Sequence, residues 1–384
     1  MNERQQMAAR IFREWNLNSF PKMVHIAGTN GKGSVGALLA QALLLGKFGK
    51  ICHFSSPHVL EEQERIRING DPISKEIWRR WEQKVAGTIR ETSEKATYFG
   101  TTFLMAMGIA VEQECEWLIV ETGIGGKEDI TNVIQPELSL ITTIDYDHRN
   151  LLGNTLREIA EQKAGIIKWN TPVITVPQQD EVRKVLQRTA ERMGSKYREA
   201  EVPSNVMCRL TDDKSRMEVT SAGETWESNL IGVHQLQNIA LAKAACEALH
   251  LESRYFRQAL LRVQWKGRFQ KVQQCPEIWV DGAHNDQGVT ALIANIRHFL
   301  STPVYLIFGM HKDKISEKKR KELFSIAKER IFVEIEGVCD EEIDRQVSEA
   351  IALFRQKSLE ESTPIVICGS LYLFRSAYER GEKA

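Results

Sequence analysis

The sequence has no excess of charge of either sign, because Lys and Arg together number 51 and Asp and Glu together also number 51. General nucleic-acid binding needs a cationic surface that displaces counterions, so this balance argues against nucleic acid as a partner. The charge balance does not exclude a local basic pocket that binds a small anion. Cysteine is sparse as well, with seven residues and no C-x-x-C pair, which indicates reduced thiols with neither a disulfide framework nor a zinc site.

Long apolar segments are also missing. No run approaches the roughly 18–20 residues that a membrane-spanning helix needs, and the polar start "MNERQQMAARIFREW" lacks the apolar core of a signal peptide. We therefore expect a cytoplasmic protein without a membrane partner. The apolar fraction of 42% still suffices for buried cores, and a chain of 384 residues predicts two or three domains.

Short apolar runs alternate with amphipathic stretches along most of the chain. The runs "MVHIAG", "ICHFSS", "WLIVET", "LSLITTI" and "PVITV" are typical of buried parallel strands, and the helical stretches between them predict a doubly wound α/β domain. Residues 206–231 alternate apolar and polar positions around turns and predict a small antiparallel appendage. A second α/β rhythm follows, with "EIWVDG", "VYLIFG", "IFVEIE" and "PIVICG" as its strands. We place the boundary near residues 264–274 and divide the chain into domains 1–268 and 269–384.

A glycine-rich turn lies between the first predicted strand and the helix "SVGALLAQALLLG". It reads Gly28, Thr29, Asn30, Gly31, Lys32, Gly33 and Ser34. Glycines let backbone N–H groups curl around an anion, the helix N-terminus adds partial positive charge, and a lysine supplies a full one. The stretch differs from the strict G-x-x-x-x-G-K-[ST] pattern, but its position between strand and helix favours nucleotide phosphate over an ordinary turn. Kinase, GTPase and ligase all stay open at this point.

Two strand ends carry candidate metal ligands. Glu121 ends the strand "WLIVE", and His148 follows the next strand with Asp145 and Asp147 nearby. Ligands gather at the carboxyl ends of parallel strands, and Mg²⁺ takes few protein ligands beside phosphate and water. Glu121 as a turn carboxylate and His148 as an ordinary polar residue remain alternatives. Lys163, in the helical stretch "EIAEQKAGIIK", is either a surface lysine or a buried one able to form a carbamate.

These segments together resemble the folylpolyglutamate synthase/dihydrofolate synthase family of the Mur ligase superfamily. The matching motifs occur in family order and include "HIAGTNGKGSV", "SSPHV", "ETGIGGKEDITNVI", "DH…LGNTLREIAEQKAGIIK", "HQLQN", "KGRFQ", "DGAHN", "FGMHKDK" and "CGSLYLF". The resemblance implies a P-loop ATPase domain followed by a smaller Rossmann-like ligase domain. It also implies a reaction in which ATP phosphorylates an acceptor carboxylate and glutamate attacks the acyl phosphate.

The resemblance assigns roles to individual residues. The glycine turn would hold the ATP phosphates through Lys32, and Lys163 would be the lysine that becomes carbamylated. Ser56, Glu121 and His148 would hold Mg²⁺, with His148 also part of the catalytic set. The remaining matches are nucleotide contacts and contacts to the incoming glutamate. The nucleotide set is His234, Gln235, Asn238, Arg268 and Asp281, and the glutamate set is His284 and Ser370.

Departures from the family pattern concentrate where the acceptor should bind. The sequence has Phe99-Gly100 where the family favours Phe-Glu, Lys127-Glu128 where it favours Arg-Leu, and Arg149-Asn150 after "YDH". Only 27 residues precede Gly28. Two hypotheses follow: a compact enzyme that adds L-glutamate to a folate-type acid, which is favoured, or a relative that joins an amino acid to another small carboxylic acid. We expect a monomer by analogy with the family.

Overall fold

The computed structural model describes residues 1–381 except 16, 18, 93–94, 301 and 312–313, so Lys312 and Asp313 of the "FGMHKDK" motif lie outside it. Packing divides the chain into two compact units. Unit 1 comprises Met1–Pro203 and Leu236–Val263, and unit 2 comprises Ser204–Gln235 and Gln264–Ala384 as far as these ranges are described.

Unit 1 is built on an eight-stranded sheet. Its strands are β1 Lys22–Ala27, β2 Ile51–Phe54, β3 Ile66–Ile68, β4 Asp71–Pro72, β5 Trp117–Glu121, β6 Leu138–Ile141, β7 Val173–Thr175 and β8 Tyr197–Glu199. They lie in the order β4-β3-β2-β5-β1-β6-β7-β8. The six strands β2, β5, β1, β6, β7 and β8 are parallel to one another. The carboxyl ends of β2, β5, β1 and β6 therefore lie side by side at one edge.

Helices cover this sheet because its central strands are apolar on both faces, as parallel strands usually are. The helices of unit 1 are α1 Glu3–Glu14, α2 Lys32–Leu45, α3 Lys75–Thr92, α4 Tyr98–Glu112, α5 Arg149–Leu152, α6 Leu156–Ala164, α7 Asp180–Arg192, α8 Gln235–Ala248, whose first residue groups with unit 2, and α9 Ser253–Arg262. One core joins α1, α3 and α4 to β2 and β5, and a second joins α6 and α7 to β6 and β7.

The start of α6 is fixed by a capping box. Thr155 accepts a hydrogen bond from the Glu158 backbone N–H, and the Glu158 carboxylate accepts one from the Thr155 N–H. This box sets where the helix begins and so which face presents Lys163. The helix α2 begins differently, because Gly31 at its N-cap provides no side-chain hydrogen bond.

Unit 2 contains two sheets. The strands β9 Met207–Leu210, β10 Met217–Ser221 and β11 Glu224–Ser228 form an antiparallel sheet. The strands β12 Gln270–Gln273, β13 Ile278–Asp281, β14 Val304–Phe308, β15 Ala327–Phe332 and β16 Ile365–Cys368 form a sheet in the order β12-β13-β16-β14-β15, with only β12 antiparallel. Its helices are α10 Asp286–Phe299, α11 Glu317–Ser325, α12 Asp340–Glu361 and α13 Arg375–Gly381.

The predicted fold class is confirmed: both units are α/β, and the small antiparallel sheet forms within residues 206–231. One strand boundary was wrong. The run "IFVEIE" at 331–336 predicted the strand that the structure places at Ala327–Phe332. As the last strand of its sheet, β15 carries exposed Lys328, Glu329 and Arg330, which hides it from an apolar pattern.

The compact units and the predicted domains are different divisions of the chain. Residues 204–235 pack with unit 2 although they precede the predicted boundary after Arg268. The division into functional domains 1–268 and 269–384 stays a prediction. In the described part of the chain, no helix combines the length and apolar character required to cross a membrane.

Candidate active site

The glycine turn joins β1 to α2, and its backbone geometry requires glycine at two positions. Gly28 has φ +150° and Gly31 has φ +93°. A Cβ atom on Gly28 would lie 1.8 Å from Thr142 Oγ1, and one on Gly31 would lie 2.2 Å from Asn238 Oδ1. Both glycines therefore permit close approach of other segments as well as an unusual backbone conformation.

Hydrogen bonds anchor this turn to the loop that follows β6. The Thr29 N–H donates to the Thr143 carbonyl at 2.8 Å, and the Asp145 N–H lies 3.0 Å from Thr29 Oγ1. Asn30 is half-buried in the same turn, and Gly33 is buried in the first turn of α2. Ser34 Oγ is buried there without a hydrogen-bond partner. A cradle bounded by a helix N-terminus, with a buried hydroxyl at its base, fits an anion such as phosphate.

Lys32 and Glu121 meet beside this cradle. The Lys32 ammonium group donates to the Gly28 carbonyl at 3.1 Å and lies 3.8 Å from Glu121 Oε1. Glu121 ends β5, is 5% exposed, and lies next to β1 because Ile26 is its register partner. The strand order thus brings a carboxylate and a lysine that are far apart in sequence to the same point.

Lys163 lies under the glycine turn. Its side chain is 3% exposed, and its ammonium group donates to the Gly28 carbonyl at 2.7 Å. Burial, with a smaller effect from the charge of Lys32, lowers the pKa of Lys163 to about 7, while Asp147 and Asp129 oppose the shift. A lysine in this state is substantially neutral near pH 7, so its nitrogen is available as a nucleophile.

Ser56 and His148 lie at the same edge, after β2 and β6. Ser56 is partly buried, and His148 adopts φ +46° just before α5. The His148 backbone N–H donates to Asp147 Oδ1 at 2.8 Å, and its imidazole Nε2 lies 3.9 Å from Asp147 Oδ2. Among the described residues, no group of three His, Cys, Asp or Glu side chains is arranged to hold a metal. The metal roles of Ser56, Glu121 and His148 stay predictions.

The chemistry of the donors nevertheless fits magnesium. The Glu121 carboxylate and the Ser34 hydroxyl are oxygen donors beside a phosphate-type cradle, and Mg²⁺ prefers oxygen ligands. Asn238, on α8, is 5% exposed and lies against Gly31, so unit 1 also brings this predicted nucleotide contact to the turn.

In unit 2, Asp281 organises the edge that the other predicted residues share. It ends β13, and its carboxylate accepts hydrogen bonds from the Phe269 N–H and the Ala283 N–H, each at 2.8 Å. Burial raises the pKa of Asp281 to about 6, although the charge of Arg268 and these two bonds oppose the shift. Arg268 also donates to the Gly267 carbonyl at 3.1 Å.

His284 and Ser370 follow neighbouring strands of the same sheet. His284 Nδ1 lies 2.8 Å from the Gly282 carbonyl after β13. Ser370 follows β16 and caps the short 3₁₀ helix Leu371–Leu373 by accepting a hydrogen bond from the Tyr372 N–H. The register partners Asp281 and Cys368 show that these two loops start side by side. The glutamate-binding roles of His284 and Ser370 stay predictions.

His234 and Gln235 precede Asn238 in the motif "HQLQN" but group with unit 2. His234 Nδ1 lies 3.2 Å from Asn295 Nδ2, and burial lowers the pKa of His234 to about 4. Gln235 is buried at the start of α8. The structure therefore divides this motif between two compact units. The nucleotide contacts of His234 and Gln235 stay predictions.

Sequence reasoning missed Asp129. This buried carboxylate accepts hydrogen bonds from the N–H groups of Gly123 and Ile124, each at 3.0 Å, and from the Thr131 N–H and hydroxyl. It thereby fixes the loop after Glu121. Thr131 Oγ1 lies 2.9 Å from His25 Nε2 on β1, which links that loop to the strand entering the glycine turn. The available signal was the aspartate in "GGKEDIT", since an Asp side chain that follows a glycine-rich loop favours an Asx-type turn with the backbone N–H two residues on.

Comparison with known proteins identifies the class of protein first. The model of the Mur ligase middle domain matches residues 26–246. This range contains the glycine turn, Glu121, His148, Lys163 and Asn238. The chain is therefore an ATP-dependent ligase that joins a carboxylic acid to an amino acid.

Individual relatives define the family. The chain is 33% identical over 327 residues to the dihydrofolate synthase/folylpolyglutamate synthase of Bacillus subtilis, covering 79% of this chain and 74% of the relative. It is 28% identical over 378 residues to the folylpolyglutamate synthase of Lacticaseibacillus casei, covering 92% and 88%. This chain belongs to the folylpolyglutamate synthase/dihydrofolate synthase family.

A solved structure agrees over nearly the whole length. A folylpolyglutamate synthase in complex with AMPPCP and folate superimposes with a TM-score of 0.82 at 26% identity, covering 99% of this chain and 94% of that one. The resemblance stated from the motifs is thereby confirmed, as is the two-domain fold class with its P-loop ATPase part.

Proposed function

We propose that this enzyme uses ATP to add L-glutamate to a folate-type carboxylate, either dihydropteroate or a tetrahydrofolate that already carries glutamate. The observation that carries the proposal is the convergence of Lys32, Glu121 and Lys163 on the glycine turn. This chain matches more than two thirds of the length of the Bacillus subtilis and Lacticaseibacillus casei relatives, and the names of both enzymes describe this activity. The structure of a relative with AMPPCP and folate supports ATP and a folate as the two ligands.

The residues of the turn would bind and orient the nucleotide. The N–H groups at the start of α2 face the phosphates, and the Lys32 charge draws the outer phosphate toward the acceptor carboxylate. A Mg²⁺ ion, held by Glu121 with Ser34, Ser56 and His148 as further candidates, would supply charge neutralisation at the transferring phosphoryl group. Asn238 lies against Gly31 and would contact the nucleotide from α8.

Lys163 enters this proposal through its neutral form. An uncharged amine can add CO₂ and release one proton to solvent, which gives an anionic carbamate and would change a cation beside Lys32 into an anion. The lowered pKa makes the neutral form accessible near pH 7. The carbamate would then compensate the Lys32 charge that now contributes to the low pKa of Lys163.

The unit 2 residues would serve the nucleotide and the incoming amino acid. Arg268 and Asp281 are the proposed nucleotide contacts, and His284 and Ser370 would hold glutamate with its amino group free to attack. Attack on the acyl phosphate forms the amide bond and releases inorganic phosphate. We expect a monomer in the cytoplasm, where the seven cysteines, all free thiols, would stay reduced.

The experiment is phosphate release from ATP and Mg²⁺ in the presence of glutamate, with each acceptor tested separately. Dihydropteroate, tetrahydrofolate and a panel of small non-pterin carboxylic acids are the acceptors, and mass spectrometry identifies each product. Release that depends on a pterin acceptor supports the proposal. Release only with another acid would keep the ligase chemistry and assign the chain to the alternative, a relative that joins an amino acid to a non-folate acid.

A further inference from the structure

A cavity in unit 2 is bounded by the helix α11 and the ends of the strands β14 and β15. Its volume is about 310 Å³, near the lower end of the range for ligand pockets, so it suits a small molecule. Three phenylalanines, one isoleucine and two arginines line it, namely Phe308, Phe324, Phe332, Ile331, Arg320 and Arg330. No acidic side chain of the described residues belongs to this lining, which therefore combines apolar rings with positive charge alone.

Sheet register and helix packing bring the three phenylalanines together. Phe308 and Phe332 are register partners at the ends of β14 and β15, so their side chains lie on the same face of the sheet. Phe324, on α11, packs edge-on against Phe308 with ring centroids 5.5 Å apart and an interplanar angle of 87°. Phe308 is 3% exposed, whereas Phe332 is 58% exposed. The rings therefore form a buried floor at Phe308 and an open rim at Phe332.

The two arginines reach this space from different elements. Arg320 precedes Phe324 by four residues on α11, which places both side chains on one face of the helix. Arg330 precedes Phe332 by two residues on β15, and its guanidinium carbon lies 4.7 Å from the centroid of the Phe324 ring. This stacking holds the Arg330 guanidinium beside the rings before any ligand binds.

The acidic residues of α11 and β15 do not neutralise these arginines. Each of them forms an ion pair with a lysine, in the pairs Glu317–Lys321, Glu322–Lys319 and Glu329–Lys357. Within the described ranges, no ion pair joins a carboxylate to Arg320 or Arg330. Two guanidinium groups beside apolar rings are thus left to an anion from outside the chain.

We propose that this cavity binds a small aromatic carboxylate. The aromatic ring packs among the three phenylalanines, where edge-to-face and offset contacts add to the burial of apolar surface. The carboxylate accepts hydrogen bonds from Arg320 and Arg330, because a planar guanidinium fork matches its two oxygens. The exposed Phe332 ring covers the ligand from the side of the edge strand β15.

This cavity is separate from the residues proposed to hold glutamate. His284 follows β13 and Ser370 follows β16, which are neighbouring strands. The cavity instead lies at β14 and β15, the last two strands in the order of the sheet. Binding of the aromatic carboxylate is therefore independent of the ligase reaction, and its test needs no turnover.

The probe is 2-naphthoate, titrated into the full chain and followed by ligand-observed NMR. We expect saturable binding with a Kd of about 1 mM or below, as a ligand of this size allows. The neutral analogue 2-naphthamide should bind at least about tenfold more weakly, because it lacks the charge. The saturated analogue decahydro-2-naphthoate should bind about two- to tenfold more weakly, because it lacks the aromatic ring. No saturation by about 10 mM naphthoate, or equal binding of 2-naphthamide, would overturn the proposal.

Substitutions in the lining locate the bound naphthoate. R320Q and R330Q should each weaken its binding by at least about tenfold, because each removes a charged hydrogen-bond donor. R355Q is the matched control, since Arg355 is exposed on α12 and does not line the cavity, and it should leave the affinity unchanged.

Hydrogen exchange provides a second location that requires no variant. Bound naphthoate should slow exchange in peptides that cover residues 317–332. Wild-type affinity in either R320Q or R330Q, or slowed exchange confined to unit 1, would show that naphthoate binds elsewhere and would contradict the assigned site.

Discussion

Lys163 in unit 1 and Asp281 in unit 2 are each buried near the carboxyl edge of a parallel sheet, and their pKa values move in opposite directions. Burial lowers the pKa of the lysine to about 7 and raises that of the aspartic acid to about 6. The same cause acts on both, since loss of water disfavours whichever form is charged. Both groups therefore titrate close to neutral pH.

The neighbours of the two groups show how the two edges differ. Lys163 lies beside another cation, Lys32, which adds to its shift, whereas Asp281 lies near Arg268 and accepts two backbone hydrogen bonds that oppose its shift. Unit 1 concentrates positive charge at a glycine cradle, as an anion site requires. Unit 2 holds a partly stabilised carboxylate that fixes the Phe269 and Ala283 backbone.

The largest expected effect on ligase turnover comes from removing the positive charge of Lys32 at the glycine turn. Lys32→Ala should lower ligase turnover by about 100- to 1,000-fold, because it removes a charge aimed at the transferring phosphoryl group. Lys184→Ala, at an exposed position on α7, is the control and should leave turnover unchanged. The rate of acceptor-dependent phosphate release measures both, and full activity in Lys32→Ala would remove the phosphate assignment.

Loss of Lys163 should also inactivate the enzyme, but a small carboxylic acid added to the assay should restore part of the activity. Lys163→Ala leaves a space beneath Gly28, and a short carboxylic acid such as acetate can place its anionic oxygens there. We expect partial recovery of phosphate release in acetate or propionate and none in chloride at equal ionic strength. Unaided wild-type activity in this variant would contradict the carbamate role.

Backbone geometry at the cradle should have the next largest effect. Gly28→Ala forces a side chain into φ +150° and against Thr142 Oγ1, so we expect a loss of about 1–3 kcal/mol in unfolding free energy together with weak ATP binding. Gly87→Ala is the matched control, because nothing lies within 4 Å of its added Cβ on the helix α3. That control should gain about 0.5–1 kcal/mol in urea denaturation. Equal stability changes in the two variants would refute the strain argument.

The effect that is smallest per pH unit is the pH response of stability, which distinguishes the two units. The pKa of Lys163 is about 7 in the folded chain against an ordinary 10.5, so the unfolded chain binds more protons between these values and stability rises with pH there. The pKa of Asp281 is about 6 against 3.8, so the folded chain binds more protons and stability falls as pH rises between these values. Each slope is at most about 1.4 kcal/mol per pH unit.

Hydrogen exchange at a series of pH values can follow peptides of each unit separately. Lys163→Met should flatten the alkaline slope in unit 1 peptides, and Asp281→Asn should flatten the acidic slope in unit 2 peptides. A flattened slope in the other unit, or none, would show that these groups do not carry the pH dependence assigned to them.

The sequence predicted the strand ends better than it predicted burial. Parallel strands place their carboxyl ends at one edge, so the shared edge of Glu121 and His148 followed from order along the chain. The burial of Lys163 could not be decided, because a helical pattern with Ile159 and Ala164 nearby fits both a surface and a core lysine. Only the packing of α6 under Gly28 resolves it.

Other features depend on contacts that sequence order does not show. The role of Asp129 comes from four hydrogen bonds to a loop that folds back on it, and no periodic pattern marks such a loop. The grouping of residues 204–235 with unit 2 is equally hidden, because both flanking segments belong to unit 1. An apolar strand pattern indicates that the strand is buried, but it does not indicate which distant segment of the chain packs against it.

The central claim is that the acceptor carboxylate is phosphorylated before glutamate attacks. An acceptor whose reactive carboxylate carries heavy oxygen tests it directly, because the phosphoryl group becomes bonded to one of those oxygens and leaves with it. We predict that each released phosphate contains one heavy oxygen, in equal amount to the amide product. Phosphate that contains only ordinary oxygen would contradict the acyl-phosphate account.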